Sequence, residues 1–172
     1  IIFLNSDGTL TKQSVVINDS TTNGPVLGLT HYFGRSVENI GDLDGDGVND
    51  LAVGAILDNG GGSKRGTVNI HFMNSDGSVK STVEIDDTTT NGPTLSDNDR
   101  FGYAIANIGD LDGNGVNDLA VGAAYDDTAS DGNTHSNGVN SNIGAVHIIF
   151  LNSDGTLTKQ SVVINDSTTN GP

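Results

Sequence analysis

A block of 23 residues occurs twice in this chain. Residues 33–55 read FGRSVENIGDLDGDGVNDLAVGA and residues 101–123 read FGYAIANIGDLDGNGVNDLAVGA, an offset of 68. A second repeat carries no change at all: IIFLNSDGTLTKQSVVINDSTTNGP stands at both 1–25 and 148–172, an offset of 147. Units of this length that recur along a chain fold as an array of supersecondary pieces, each burying its apolar face on the next.

The two offsets divide the chain into unlike units. One runs from Phe33 to Arg100, and a longer one starts at Phe101. The extra length of the second falls mainly in the loop 124–143, with one more residue near Lys159 and Gln160. Four short strands are expected in each unit, near 34–40, 50–55, 66–73 and 80–85 in the first. Val68, Ile70 and Phe72 alternate with Asn69 and His71, the period of a strand, and Asp76-Gly77 supplies a hairpin turn. Four antiparallel strands followed by a crossover make one blade of a propeller. The expected fold is thus all-β, with four-stranded blades in tandem. Residues 1–25 are expected to give the third and fourth strands and linker of a preceding blade, 26–93 a short blade, and 94–172 a long one. Ala52 and Gly54 are small enough for sheets to converge closely.

Composition agrees and narrows the chemistry. Glycine accounts for 24 of the 172 residues, and Asp outnumbers Glu by 20 to 2. Both Gly and Asp favour turns over helices. A formal charge of −15 leaves nothing to neutralise phosphates, which excludes nucleic acid as a partner. There is no cysteine, hence no thiol or disulfide chemistry, and no apolar run is long enough to span a bilayer. The opening Ile1 lies inside a strand pattern, so the sequence reads as a window on a longer processed chain.

The acidic residues are placed, not scattered. The loop DLDGDGVND sets Asp42, Asp44, Asp46 and Asp50 at positions 1, 3, 5 and 9, and its copy sets Asp110, Asp112, Asn114 and Asp118 there. Alternate side chains in a tight loop converge on one point, and the intervening glycines permit the turn. Val48 and Val116, at position 7, can each add a backbone carbonyl. An all-oxygen donor set without His or Cys selects Ca²⁺ over transition metals, and Mg²⁺ keeps more of its water. One Ca²⁺ per loop, two per 147-residue period, is expected. An EF-hand is excluded because position 12 lacks Glu and flanking helices are missing.

The run FG…IGDLDGDGVNDLAVGA resembles the FG-GAP repeat of integrin α-subunits and many microbial surface proteins. The third element reads GAI at 54–56 and GAA at 122–124, without the usual proline. The resemblance covers about 140 of the 172 residues. It implies four-stranded blades with Ca²⁺ in the hairpin loop between the first two strands, on one face of the array.

Other signals are weaker. Asn18-Asp19-Ser20 and its copy at Asn165 are N-glycosylation acceptors, and Thr clusters at 20–22, 88–90 and 167–169 could carry O-linked sugars. His31, His71, His135 and His147 show no ligand spacing and are read as surface or strand-packing residues. Asp86–Asp87 and Asp126–Asp127 are read as solvated turns. No nucleophile stands beside a base, so no catalytic residues are assigned. Ten expected strands make two and a half blades, too few for a ring, and the two ends duplicate each other. Several periods could close a ring of six or eight blades. An open head-to-tail array of adjacent copies fits the unchanged repeat better. The expected role is a non-catalytic, calcium-rigidified, structural or adhesive module of an extracellular or cell-surface protein, with protein or glycan ligands as further partners. The alternative is the accessory propeller module of a secreted polysaccharide- or lipid-degrading enzyme.

Overall fold

A computed structural model describes residues 1–127, 143–165 and 167–169. Eight strands form two four-stranded antiparallel sheets. The first blade comprises β1 (Phe33–Gly41), β2 (Asp50–Ala55), β3 (Thr67–Met73) and β4 (Val79–Ile85), hydrogen-bonded in that order. The second comprises β5 (Phe101–Gly109), β6 (Asp118–Ala123), β7 (Ala145–Ile149) and β8 (Val162–Ile164) in the same order. Among the described residues all eight elements are strands, an all-β fold, and the first-blade strands lie within a residue of the positions expected from alternation and turns.

Strand alternation decides which residues meet between the blades. On β6, Leu119, Val121 and Ala123 project to one side and are fully buried. On β2, Ala52 and Gly54 project to the side that receives them. The shared core joins Ile40, Val68, Ile70 and Ile85 of the first blade to Phe101, Leu119 and Ile149 of the second. Gly54 lets the sheets converge. A Cβ there would overlap the carbonyl of Gly102 and lie 2.6 Å from Ser36 Oγ. Ser36 Oγ instead donates to Gly102 O at 2.7 Å. The Arg35 guanidinium stacks on the Tyr103 ring, 3.9 Å from its centroid, and adds a cation–π contact to the same seam.

The linkers hold each blade to what precedes it. Thr82 Oγ1 in β4 donates to Asn23 O, and Ser161 at the corresponding place in the second blade donates to Gly92 O. Ser161 N also bonds Asn91 O, and Gln160 Nε2 bonds Gly92 O. The extra residue near Lys159 and Gln160 thus turns this stretch toward the linker. β8 has three residues where β4 has seven.

The duplicated 25 residues adopt two states. At 148–165 they supply the end of β7, which pairs with β6, and β8, which pairs with β7, and Ile149 and Leu151 are 0% exposed. At 1–17 no regular strand forms. Turn bonds from Asn5 N to Thr9 O and an isolated Leu4–Leu10 bridge remain, with Ile2 65% and Leu4 60% exposed. The expectation of two strands in 1–17 is therefore met only by an irregular hairpin. None of the described strands pairs with this hairpin, and a hairpin without a sheet neighbour is marginal in water. Its Phe3 still packs by Gly77, on the turn between β3 and β4.

Two smaller expectations are corrected. Asp86 and Asp126 are buried and not solvated. Asp86 Oδ1 accepts from Thr88 N and Thr89 N, closing the turn after β4, and the Asp87 carboxylate pairs with Arg65. Most of the insert at 124–143, with His135, lies outside the described residues.

Candidate metal centre

Each Asp-rich loop joins the first two strands of its blade, and its first aspartate organises the backbone. Asp42 Oδ1 accepts from Gly45 N at 2.8 Å and Asp46 N at 3.0 Å, while Oδ2 accepts from Gly47 N at 2.8 Å. Asp110 repeats this with Gly113 N, Asn114 N and Gly115 N at 2.7, 3.0 and 2.8 Å. The turn requires left-handed backbone at Gly45 (φ 78°) and Gly47 (φ 89°), which glycine supplies without steric cost.

The ninth-position aspartates tie the loop to the sheet. Asp50 is fully buried; Oδ2 accepts from Leu43 N and Oδ1 from Met73 N, both at 2.9 Å. Asp118, equally buried, accepts from Leu111 N at 2.9 Å and Leu151 N at 3.0 Å. Burial pushes the Asp50 carboxyl above its usual range. The two backbone donors oppose that shift, and the charges of Asp44 and Asp46 add to it.

The side chains converge. Carboxylate oxygens of Asp42, Asp44 and Asp50 lie within 4.8 Å of one another, as do those of Asp110, Asp112 and Asp118. At that separation and an effective dielectric near 20, each charged pair repels by roughly 3–4 kcal/mol. Asp46 stands outside this trio. Its Oδ1 accepts from Val48 N, and its Oδ2 meets Lys80 Nζ at 2.8 Å. Asn114 is likewise engaged, accepting from Val116 N and donating to Leu151 O. Val48 follows the exposed part of its loop, and Val116 packs against the shared core.

The groups that answer these carboxylates come from far along the chain. Lys80 Nζ bridges Asp44 Oδ2 at 2.6 Å and Asp46 Oδ2 at 2.8 Å. The hydrogen bond from Lys80 holds Asp46 below the usual carboxylate range, and the lysine is pushed up in turn, by Asp44 first. The second blade answers differently. Thr158 Oγ1 donates to Asp112 Oδ2 at 3.1 Å, and Lys159 Nζ stays 3.5 Å away, over the Phe150 ring. Sequence reasoning missed these partners because Lys80 lies 36 residues from Asp44. No local spacing carries that signal.

Two histidines are buried strand-packing residues. His71 and His147 are fully enclosed, edge-on to Phe33 and Phe101. Burial lowers His71 to about 4. His31 pairs with Asp58 at 2.5 Å.

The FG-GAP repeat family profile matches residues 101–149, which spans the second Asp-rich loop and the strands on either side of it. Integrin alpha pat-2 of Caenorhabditis briggsae is 36% identical over 125 residues, 72% of this chain and 9% of that protein. The chain belongs to the FG-GAP repeat family. Further relatives of this FG-GAP chain are integrin alpha-5 of Xenopus laevis, 38% identical over 64% of the chain, and integrin alpha-PS3 of Drosophila melanogaster, 34% identical over 53%. They overlap it over 10% and 8% of their own lengths, so the FG-GAP chain spans about a tenth of the relatives it matches. No helix among the described residues is long and apolar enough to cross a membrane.

The two Asn-Asp-Ser tripeptides lie in linkers. Asn18 is exposed and its Oδ1 accepts from Ser20 N and Ser20 Oγ; Asn165 makes the same turn with Ser167 and is half-buried.

Proposed function

We propose that this chain is a non-catalytic, calcium-binding, structural or adhesive module of an extracellular or cell-surface protein, in which each FG-GAP blade is stiffened by one ion. The observation that carries this reading is the pair of carboxylate trios, placed alike in both blades. The donors fit the ion: all are oxygens, no imidazole or thiol intrudes, and three converge within 4.8 Å in each loop. The first loop already draws a cation to itself, the Lys80 ammonium. Asp42, Asp44 and Asp50 would hold one ion and Asp110, Asp112 and Asp118 the other. The side chains of Asp46 and Asn114 and the carbonyls of Val48 and Val116 complete each set.

The module's units are 26–93 and 94–172, with 1–25 as the trailing half of a blade before them. In our reading the blades of this chain continue head to tail in an open array, a route to an extracellular fibre, and not in a closed ring of six or eight blades. Kinship with integrin alpha subunits supports a surface setting and a non-enzymatic role. Asn18 and Asn165 are the places for N-linked sugars in such a setting.

Calcium titration followed by calorimetry tests the reading. Two ions per chain are expected, with dissociation constants of about 10⁻⁴–10⁻³ M typical of extracellular modules. Each site contributes roughly 1–2 kcal/mol at millimolar calcium if it binds at the tight end of that range. A melting temperature unchanged between excess chelator and millimolar calcium would overturn it.

A further inference from the structure

The two Asp-rich loops are joined to each other by asparagines that belong to neither donor set. Each loop opens on the same turn, in which Asn39 Oδ1 accepts from Gly41 N at 2.9 Å and Asn107 Oδ1 accepts from Gly109 N at 3.0 Å. Both turns stand where strand pairing slips: the β1–β2 register skips Ile40, and the β5–β6 register skips Ile108. The second loop holds the first at this irregular point. Asn117, between Val116 and Asp118, donates from Nδ2 to Ile40 O at 3.0 Å. Asn107 donates from Nδ2 to Asn39 O and from its backbone N to Glu38 Oε1, both at 3.2 Å. The Asn117 amide also lies against Gly41, where an added Cβ would stand 3.1 Å from Nδ2. The backbone leading into Asp42 is thus gripped from both ends of the second loop.

The loops differ in what must leave them. Lys80 Nζ sits on Asp44 and Asp46 at 2.6 and 2.8 Å. On Asp112 the matching residue is the uncharged Thr158 at 3.1 Å, and Lys159 Nζ stays 3.5 Å away. The first loop must release an ammonium from two carboxylates before another cation can enter. The second holds no charge so close.

We propose that the two loops take up calcium in order and as a coupled pair, the second loop first, with Asn117 and Asn107 carrying its closure to the entry of the first. This deepens the calcium reading and rests on it. In that reading Val116 and Asp118 are both donors to the second ion, so filling the second loop fixes Asn117 between them. Ile40 O and Gly41 are fixed with it. Asp42, next in the chain, accepts from Gly45 N, Asp46 N and Gly47 N, so setting its backbone in place orders the whole first loop. The entropy of ordering that entry is then lost when the second loop fills, and the later step at the first loop binds more tightly. Such coupling is reciprocal, and each filled loop strengthens the other. Asn117 is a positioning residue, acting through the backbone of the neighbouring loop.

Calcium titration of the intact 172-residue chain, followed by amide NMR, tests this. The Gly45 and Gly47 amides, bonded to Asp42, report the first loop, and those of Gly113 and Gly115, bonded to Asp110, report the second. The second pair should shift at lower calcium than the first. Asp112→Ala, which breaks the second trio, should weaken binding at the first loop by about fivefold, the low end of such couplings. Asn117→Ala should weaken the first loop to the same degree, and adding Asp112→Ala to it should weaken that loop no further. A merely structural role for Asn117 would instead give losses that add. First-loop amides that shift ahead of the second pair would overturn the proposal, as would additive losses in the double variant. Asp112→Ala decides the coupling by itself if Asn117→Ala does not fold: a first loop that then binds as in the parent would overturn it. Loops that fill independently would remove the coupling and leave the calcium reading in place, whereas amides that ignore calcium would remove both.

Discussion

Replacing Asp118 by alanine separates two duties of one carboxylate. Asp118 is fully buried, and its oxygens accept from Leu111 N and Leu151 N at 2.9 and 3.0 Å. The alanine variant leaves both backbone donors without this acceptor, at about 1–3 kcal/mol each, partly offset because a buried charge is also removed. A net loss of about 2–4 kcal/mol is expected even without calcium. For a chain of this size each kcal/mol moves the melting temperature by about 2–4 °C, so a drop on the order of 10 °C should appear in excess chelator. In millimolar calcium the variant should fall further behind the parent, by about another 1–2 kcal/mol, since the second trio is broken while the first remains. Differential scanning calorimetry of parent and variant in chelator and in calcium reads both quantities. A variant that melts with the parent in chelator would refute the argument that Asp118 ties the loop to Leu151, just past β7. A deficit that is the same in chelator and in calcium would refute its part in holding an ion.

Three further outcomes are expected. Gly54→Ala should destabilise the protein by about 2–4 kcal/mol in urea unfolding, because its Cβ would overlap Gly102 O and break the Ser36 bond, whereas Gly122→Ala should be near neutral. Lys80→Thr, which gives the first blade the residue that Thr158 provides in the second, should tighten calcium binding at the first loop several-fold by calorimetric titration, since the ammonium no longer competes for Asp44 and Asp46. His71 has a folded pKa lowered by burial to about 4, so its contribution is intact above the unfolded value near 6.5 and is lost as pH falls from 6.5 toward 4. His71→Ile, the residue found at Ile149, should therefore gain on the parent by about 3 kcal/mol across that window; parallel pH-stability curves would contradict it.

The strands, their order and the two acidic loops were legible in the sequence because they rest on local rules. Alternation sets which side chains share a face, Asp-Gly steps set the turns, and odd-numbered loop positions converge wherever such a loop closes. Matched copies turned those local rules into an array. Distant partners were not legible: Lys80 on Asp44 and Asp46, and Thr158 on Asp112, cross between elements that only folding brings together. The same limit misplaced Asp86, read as a solvated turn but found closing a buried one.

The duplicated 25 residues mark the boundary most sharply. Their composition and turn residues fix a hairpin at Asn5–Thr9 and at Asn152–Thr156 alike. Whether that hairpin becomes sheet was decided by tertiary structure, because backbone donors and acceptors need a neighbouring strand and apolar faces need a covering one. At 148–165 β6 and the first blade supply both, and Ile149 and Leu151 are enclosed; at 1–17 no described strand pairs with the hairpin, and Ile2 and Leu4 are exposed.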